Sequence, residues 1–278
     1  MKLQYQLLGI TKQAFYKRQR SQLFEAKVEA EVCGMVRNIR RLMPRIGARK
    51  IHYLIKDQLH EKQLRIGRDK LFSILRKHLL LVPRRRKYHP TTQSKHQYFK
   101  YPNLIKDLKI NQSEQVWVAD ITYIRTSQGF RYLHLITDAY SKQIMGYQLS
   151  PNMKIETALE TLRSALNKRQ YNHQLIHHSD RGLQYAHNAY TQLLKDHQVL
   201  ISMTTQYDPY ENAIAERVNG ILKDEFDIGE GFLNQQQAHK WIEESVKLYN
   251  NLRPHLSCGM LTPVQAHQAN VPLKRYWK

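Results

Sequence analysis

Apolar residues recur with helical spacing as far as Leu79 and with strand spacing after Ser113, so the chain predicts a helical part followed by a mixed one. Thr11 can cap a first short helix through Phe15 and Tyr16. A second amphipathic run carries Phe24, Val28, Val32, Met35, Val36, Ile39 and Leu42 until Pro44 stops it. Ala48 to Leu59 then places Ile51, Leu54, Ile55 and Leu59 on one face. Arg65-Ile66-Gly67 makes a break, and Arg68 to Leu79 places Leu71, Ile74, Leu75 and Leu79 on one face. This is a helix-turn-helix pattern over about residues 45–80. The polar side of its last helix carries Arg68, Lys70, Ser73, Arg76 and Lys77, residue types that reach phosphates and base edges in a major groove. An ordinary basic helical hairpin accounts for the same residues equally well.

Residues 83–110 predict a linker. Pro83-Arg84-Arg85-Arg86-Lys87-Tyr88-His89-Pro90 cannot bury a core, but its cations can track a phosphate backbone while Tyr88, Tyr98, Phe99 and Tyr101 stack on bases. Beyond it, Gln115 to Arg125, Arg131 to Asp138 and Gln143 to Leu149 are rich in Val, Ile, Tyr and Thr and are joined by short turns, which predicts three antiparallel strands. A helix from Ile155 to Arg169, a strand from Gln174 to Ser179, a helix from Ala186 to Asp196, a strand from Val199 to Thr204 and a longer helix from about Glu211 follow. A meander that continues into alternating helix and strand predicts an α/β domain with a mixed sheet over 111–278, after a basic helical region over 1–82.

With 278 residues, 41% of them hydrophobic, the chain can bury a substantial core. No run approaches the ~18 apolar residues of a membrane span. Met1-Lys2-Leu3-Gln4-Tyr5 opens no apolar signal region, and Cys33 and Cys258 make no disulfide framework, which together predict a cytoplasmic protein. The formal net charge is +21. Residues 1–110 hold 27 Lys and Arg against 7 Asp and Glu, a net +20, and the remainder 17 against 16, a net +1. A basic half ahead of a neutral half that holds most of the carboxylates suggests a nucleic-acid-binding module joined to one that uses acids for chemistry. A solubilising or ribosome-associated basic arm is the plainer alternative.

Three acids stand out by position. Asp120 interrupts the apolar strand Val116-Trp117-Val118-Ala119-Asp120-Ile121-Thr122-Tyr123, where an unpaired carboxylate would be costly. Asp180 closes the strand Leu175-Ile176-His177-His178-Ser179 and precedes Arg181-Gly182, at the mouth of a sheet. Glu216 lies on a helix on which Asn212, Asn219 and Lys223 fall within about 60° of it, opposite Ile214, Val218, Ile221 and Leu222. Converging carboxylates repel unless cations lie between them, and two divalent ions so held can serve an in-line phosphoryl displacement. Taken singly, each acid also fits an ordinary structural role. His177 and His178 should point to opposite faces of their strand, one into the core and His178 lining the site.

The stretches Trp117 to Tyr123, His178-Ser179-Asp180-Arg181-Gly182-Leu183-Gln184-Tyr185 and Glu211 to Glu225 resemble the motifs of bacterial insertion-sequence transposases related to retroviral integrases. The 35 residues between Asp180 and Glu216 match the family's second-to-third-acid interval, and Lys223 matches its usual basic residue. Tyr249-Asn250-Asn251-Leu252-Arg253-Pro254-His255, followed by Leu261-Thr262-Pro263, resembles its C-terminal signature. The resemblance implies an α/β ribonuclease-H-like core, a mixed five-stranded sheet with helices, preceded by an all-α helix-turn-helix DNA-binding region. It implies a DDE-type enzyme that cleaves element ends and transfers strands. Asp120, Asp180 and Glu216 would hold two Mg²⁺ or Mn²⁺ ions, Asn212 and Asn219 would line the site, and Lys223 would contact DNA. Arg68, Lys70, Arg76, Lys77, Arg84, Arg85, Arg86 and Lys87 are the other expected DNA contacts. The subgroup resembled is the downstream product, OrfB, of two overlapping frames. The implied partners are duplex DNA, the upstream product OrfA or a fusion with it, and further copies of the chain assembled on DNA at the bacterial nucleoid. Two alternatives remain at this point: a nuclease of the same fold, and an inactive or partner-dependent DNA-binding regulator.

Overall fold

The structure, a computed structural model, describes residues 9, 11–83, 97–205 and 212–269. The chain divides into two compact units, Met1–Pro83 and Arg84–Lys278. In the first, α1 runs from Lys12 to Leu42 as one helix of 31 residues, capped by Thr11, whose Oγ1 accepts from the Ala14 N–H at 3.2 Å. The two helices expected here are therefore one, because Lys17-Arg18-Gln19-Arg20-Ser21-Gln22 contains no breaker. The helix buries Val32, Cys33, Met35 and Val36, all in its C-terminal half.

The single helix expected from Ala48 is instead α2 (Ala48–Leu54) and α3 (Lys56–Glu61). Ile55 leaves helical angles between them (φ −94°, ψ 2°), and Ile51, Ile55 and Leu59 are all buried. Helix α4 (Arg68–Lys77) ends before Leu79, which takes a left-handed backbone (φ 54°) and is 90% exposed rather than part of the apolar face. The buried carboxylate of Glu29 joins α1 to the end of α4. It accepts from Lys77 Nζ at 2.8 Å and meets His78 Nε2 at 3.0 Å, and these bonds hold it below the usual carboxylate range.

The second unit is built on a five-stranded sheet of order β3-β2-β1-β4-β5. Strands β1 (Val116–Thr126), β2 (Gly129–Asp138) and β3 (Ile144–Ser150) form the antiparallel meander. Helix α5 (Ile155–Asn167) leads to β4 (Ile176–Ser179), parallel to β1; α6 (Leu183–Ala186) and α7 (Asn188–Asp196) lead to β5 (Leu200–Met203), parallel to β4. Three more helices follow: α8 (Ala213–Glu225), α9 (Gln235–Asn251) and α10 (Pro263–Ala269). The mixed sheet is the expected one, with ends displaced by a residue or two. Along β1 the side chains alternate. Trp117 and Ala119 join a core with Ile136, Leu162 and Tyr190, while Val116 and Val118 join Ala139 and Ala215 on the opposite face.

Gly146 in β3 lets α5 lie close, since a Cβ there would sit 2.5 Å from the Thr161 carbonyl oxygen. Gly146→Ala should lower stability by about 1–3 kcal/mol through overpacking, read as a lower denaturant midpoint at unchanged slope. An unchanged midpoint would show that α5 can retreat.

A buried polar cluster closes the end of the sheet where β1 begins. His267 on α10 meets Glu114 Oε1 through Nε2 at 3.2 Å and Ser141 Oγ through Nδ1 at 3.0 Å. The Ser141 hydroxyl donates to Asp138 Oδ1 at 2.6 Å, and Arg169 Nε lies 3.8 Å from Glu114 Oε2. Glu114, Asp138, Ser141 and His267 are fully buried.

Candidate active site

Asp120 lies in the middle of β1, the strand paired on both sides, and follows Val116 and Val118 on the face covered by α8. Ala215, Val218, Ile221 and Leu222 bury one side of α8 and seat it there. Two asparagines fix its register on β1. Asn212 Nδ2 donates to the Ala119 carbonyl at 3.1 Å, and Asn219 Nδ2 donates to Asp120 Oδ2 at 2.7 Å. The Oδ1 atoms of both asparagines are buried without a hydrogen-bond partner among the described residues. Asp180 follows β4, the parallel neighbour of β1, and its Oδ1 accepts from the Gly182 N–H at 3.0 Å. That turn wants glycine, because a Cβ at residue 182 would stand 2.9 Å from the same oxygen.

The three acids act on one another electrostatically. Burial pushes Asp120 up to about 7; the negative charge of Asp180 adds to this and that of Glu216 adds less, while the Asn219 hydrogen bond opposes it. Glu216, on the exposed side of α8, is raised by partial desolvation and by Asp180. Lys223, two turns beyond Glu216 on the same helix, is lowered by burial, with the charge of Asp120 acting in the opposite sense. Asp120, Asp180, Glu216, Asn219 and Lys223 thus share one electrostatic neighbourhood. Among the described residues, no group of three His, Cys, Asp or Glu is drawn tightly enough to enclose an ion.

The other expected site residues fall elsewhere. His178 is fully buried with Nδ1 2.8 Å from Ser202 Oγ, and it pairs in register with Val118, on the face of the sheet that carries Asp120. His177 points the other way, to the Tyr190 hydroxyl at 3.0 Å. On α4, Arg68 pairs with Asp69 at 2.9 Å, Lys70 with Glu25 at 3.4 Å and Lys77 with Glu29, while Arg76 is exposed. Arg84, Arg85, Arg86 and Lys87 lie outside the described residues.

Two stretches matched as motifs in the sequence take contacts in the fold that the motifs did not show. Tyr185, buried on α6, feels the charges of both Asp120 and Asp180, and burial first and these charges later push its hydroxyl well above the usual phenol range. The stretch Tyr249 to His255 forms a clamp. Arg253, almost fully buried, donates through Nε to Glu225 Oε2 at 2.9 Å and through Nη2 to Glu225 Oε1 at 2.8 Å, gripping the last residue of α8. Asn250 brackets Ile144 at the start of β3, accepting from its N–H at 2.9 Å and donating to its carbonyl at 3.0 Å, and the Tyr249 hydroxyl donates to the Lys142 carbonyl.

Residues 110–209 match the family described as Integrase core domain, and residues 197–263 match a second family of the same description. The chain is 31% identical over 219 residues to the transposase InsF for insertion sequence IS3A of Escherichia coli (strain K12), covering 78% of this chain and 76% of that one. The chain belongs to the insertion-sequence transposases of the retroviral integrase superfamily. The transposase is also 30% identical over 262 residues to the insertion element IS600 uncharacterized 31 kDa protein of Shigella sonnei, covering 93% of this chain and 95% of the relative. A simian T-cell lymphotropic virus intasome structure, 19% identical with a TM-score of 0.50, covers 83% of this chain and 78% of that chain. That likeness gives the transposase the ribonuclease-H-like fold of the integrases. It is a DDE-type enzyme, and the nuclease and inactive-regulator alternatives are not favoured. Among the described residues no helix is long and apolar enough to cross a membrane.

Proposed function

We propose that the transposase cleaves the ends of its own element and joins the freed 3′-hydroxyl to target DNA, with Asp120, Asp180 and Glu216 holding the divalent cations that both steps need. The observation that supports this is the electrostatic conflict around β1, where a carboxylate raised to about 7 chiefly by burial also feels the charges of Asp180 and Glu216. All three donors are hard carboxylate oxygens without thiolate or imidazole, a set suited to Mg²⁺ or Mn²⁺. When bound, two such ions would supply Lewis-acid stabilisation of the attacking and leaving oxygens.

The residues of the chain do the rest. Asn219 orients the Asp120 carboxylate, Asn212 holds the start of α8 against β1, and the Gly182 turn fixes Asp180. Lys223 offers a point charge to a DNA phosphate beside the acids. Residues 1–82 act as the DNA-binding part and 83–110 as a basic linker to the core. Duplex element ends and target DNA are the substrates, further copies of the chain assemble on them at the nucleoid, and OrfA or a fusion with it completes end recognition.

The test is a cleavage and joining assay on labelled end DNA with Mg²⁺, Mn²⁺ or chelator, with and without the fused upstream segment. Metal-dependent joined product supports the proposal. Cut product that is never joined, with either form of the chain, would make the protein a nuclease.

A further inference from the structure

The cations of the N-terminal unit are not placed as the sequence pattern predicts. Glu25, Glu29, Glu31 and Asp69 pair with Lys70, Lys77, Lys62 and Arg68, so the carboxylates of this unit are engaged largely by α4 and the turn before it. The first half of α1 is different. From Lys12 to Lys27 every residue except the half-buried Phe15 is exposed, and the buried positions of the helix begin only at Glu29. Lys12, Lys17, Arg18, Arg20 and Lys27 stand there against one acid, Glu25, which is taken by Lys70. Among the described residues none of these five cations has an acidic partner.

A helix half that is polar and exposed on all sides has little tertiary packing to hold it. Lys12 adds to the cost, because it meets the positive end of the helix dipole in a first turn that contains no acid. A polyanion lying along this half relieves both. The side chains are ordered for one. At 100° per residue, Gln13, Lys17, Arg20, Phe24 and Lys27 fall within about 80° of one another, a stripe about 21 Å long. Lys12 and Arg18 lie on either side of it. Gln, Lys and Arg are donors suited to adenine and guanine edges, and a phenyl ring suits a thymine methyl. Phe24 is 68% exposed.

We infer that the first four turns of α1 lie in the major groove of duplex DNA, with this stripe toward the bases and Lys12 and Arg18 toward the flanking phosphates. A single helix of ~10–12 Å diameter fits a groove about 12 Å wide. A second copy of the helix is the poorer occupant, since it would bring five more cations and one acid against the same charge. The inference rests on the transposase reading for its choice of DNA, and it moves the groove contact from α4 to α1.

The experiment uses the full chain and measures binding to a random-sequence duplex against salt, with the melting temperature of each variant in the absence of DNA. Lys12→Gln combined with Arg18→Gln should lower the log–log salt slope by ~1.8, two phosphate contacts at ~0.9 each, and weaken binding roughly 30-fold at ~0.15 M salt. Lys70→Gln on α4 should change the slope less. Melting temperatures should hold, because the substituted side chains are exposed and have no acidic partner. Dimethyl sulfate then reads the groove: bound wild type should shield guanine N7 atoms, and Arg20→Gln should uncover them. An unchanged slope in the double variant overturns the inference, and so does guanine N7 left open under bound wild type. If Leu23→Ser and Phe24→Ser instead alter the sedimentation of the DNA-free chain while binding stays intact, this half of α1 is a contact between copies and the inference falls. If all variants bind as wild type does while wild type still joins strands, only the role of α1 fails; if wild type binds no duplex at all, the DNA reading falls with it.

Discussion

Asp180→Asn should cost at least about 10³-fold in strand cleavage and joining, because removing one carboxylate from a shared cation site forfeits several kcal/mol of transition-state stabilisation. Duplex binding should stay close to wild type. Asparagine keeps an oxygen where Asp180 Oδ1 accepts the Gly182 N–H, so the turn after β4 survives the change. The companion substitution Asp120→Asn should be equally inactive yet no less stable. The folded pKa of Asp120, about 7, lies above the ordinary carboxylate value of 3.8, so the metal-free fold binds that proton more tightly than the unfolded chain. Stability therefore falls as pH rises between these two values, and asparagine removes that fall. Melting curves with and without Mn²⁺ check the pair: wild type should gain stability from the ion, and Asp120→Asn should not. A Mn²⁺-dependent gain that survives in Asp120→Asn would take that residue out of the cation site.

The second large effect concerns the far end of the sheet. His267→Ala should destabilise the core unit by about 3–5 kcal/mol, the usual cost of breaking a buried ion pair from one side, since Glu114 and Asp138 would lose the imidazole that bridges them. Despite its burial, His267 is raised to about 9 by its bonds to Asp138 and Glu114 and by their charges, against an unfolded value near 6.5. The stabilisation is fully present below about 6.5 and is lost as pH rises through about 9, a difference of about 3 kcal/mol. Arg169 lies beside Glu114, its Nε 3.8 Å from Oε2. Denaturant midpoints from pH 6 to 10 should fall for wild type and stay flat for the alanine variant. A flat wild-type profile would mean that His267 is neutral in the folded state.

The three candidate acids stand out in the sequence by position, Asp120 in an apolar strand, Asp180 at a strand end before Arg181-Gly182 and Glu216 on the polar side of its helix, but only the resemblance joined them into one set. The strand meander and the alternation after it were equally legible, since period-two runs of Val, Ile and Tyr have few other readings. What escaped depends on distant partners. His267 finds Glu114 across 153 residues and Ser141 across 126, and no periodicity links such positions. Arg253 falls in a stretch matched to the C-terminal signature, but nothing local shows that it is buried and bound to Glu225, 28 residues earlier. The charge on α4 was plain, but its neutralisation by Glu25 and Glu29 was not, because those acids lie on the polar side of a helix whose packing is set elsewhere.

The clamp from Arg253 to Glu225 bears on the order in which the protein is made. Asp120 and Asp180 belong to strands that can pair as soon as β4 has emerged, whereas the helix carrying Glu216 is gripped at its end by a residue synthesised 28 positions later than Glu225. A nascent or prematurely terminated chain would thus hold the Glu216 helix by Asn212 and Asn219 near its start, with its far end ungripped. Such a chain could fold much of its sheet while the last turns of that helix fray, so full order around the acids would wait until Arg253 has been made.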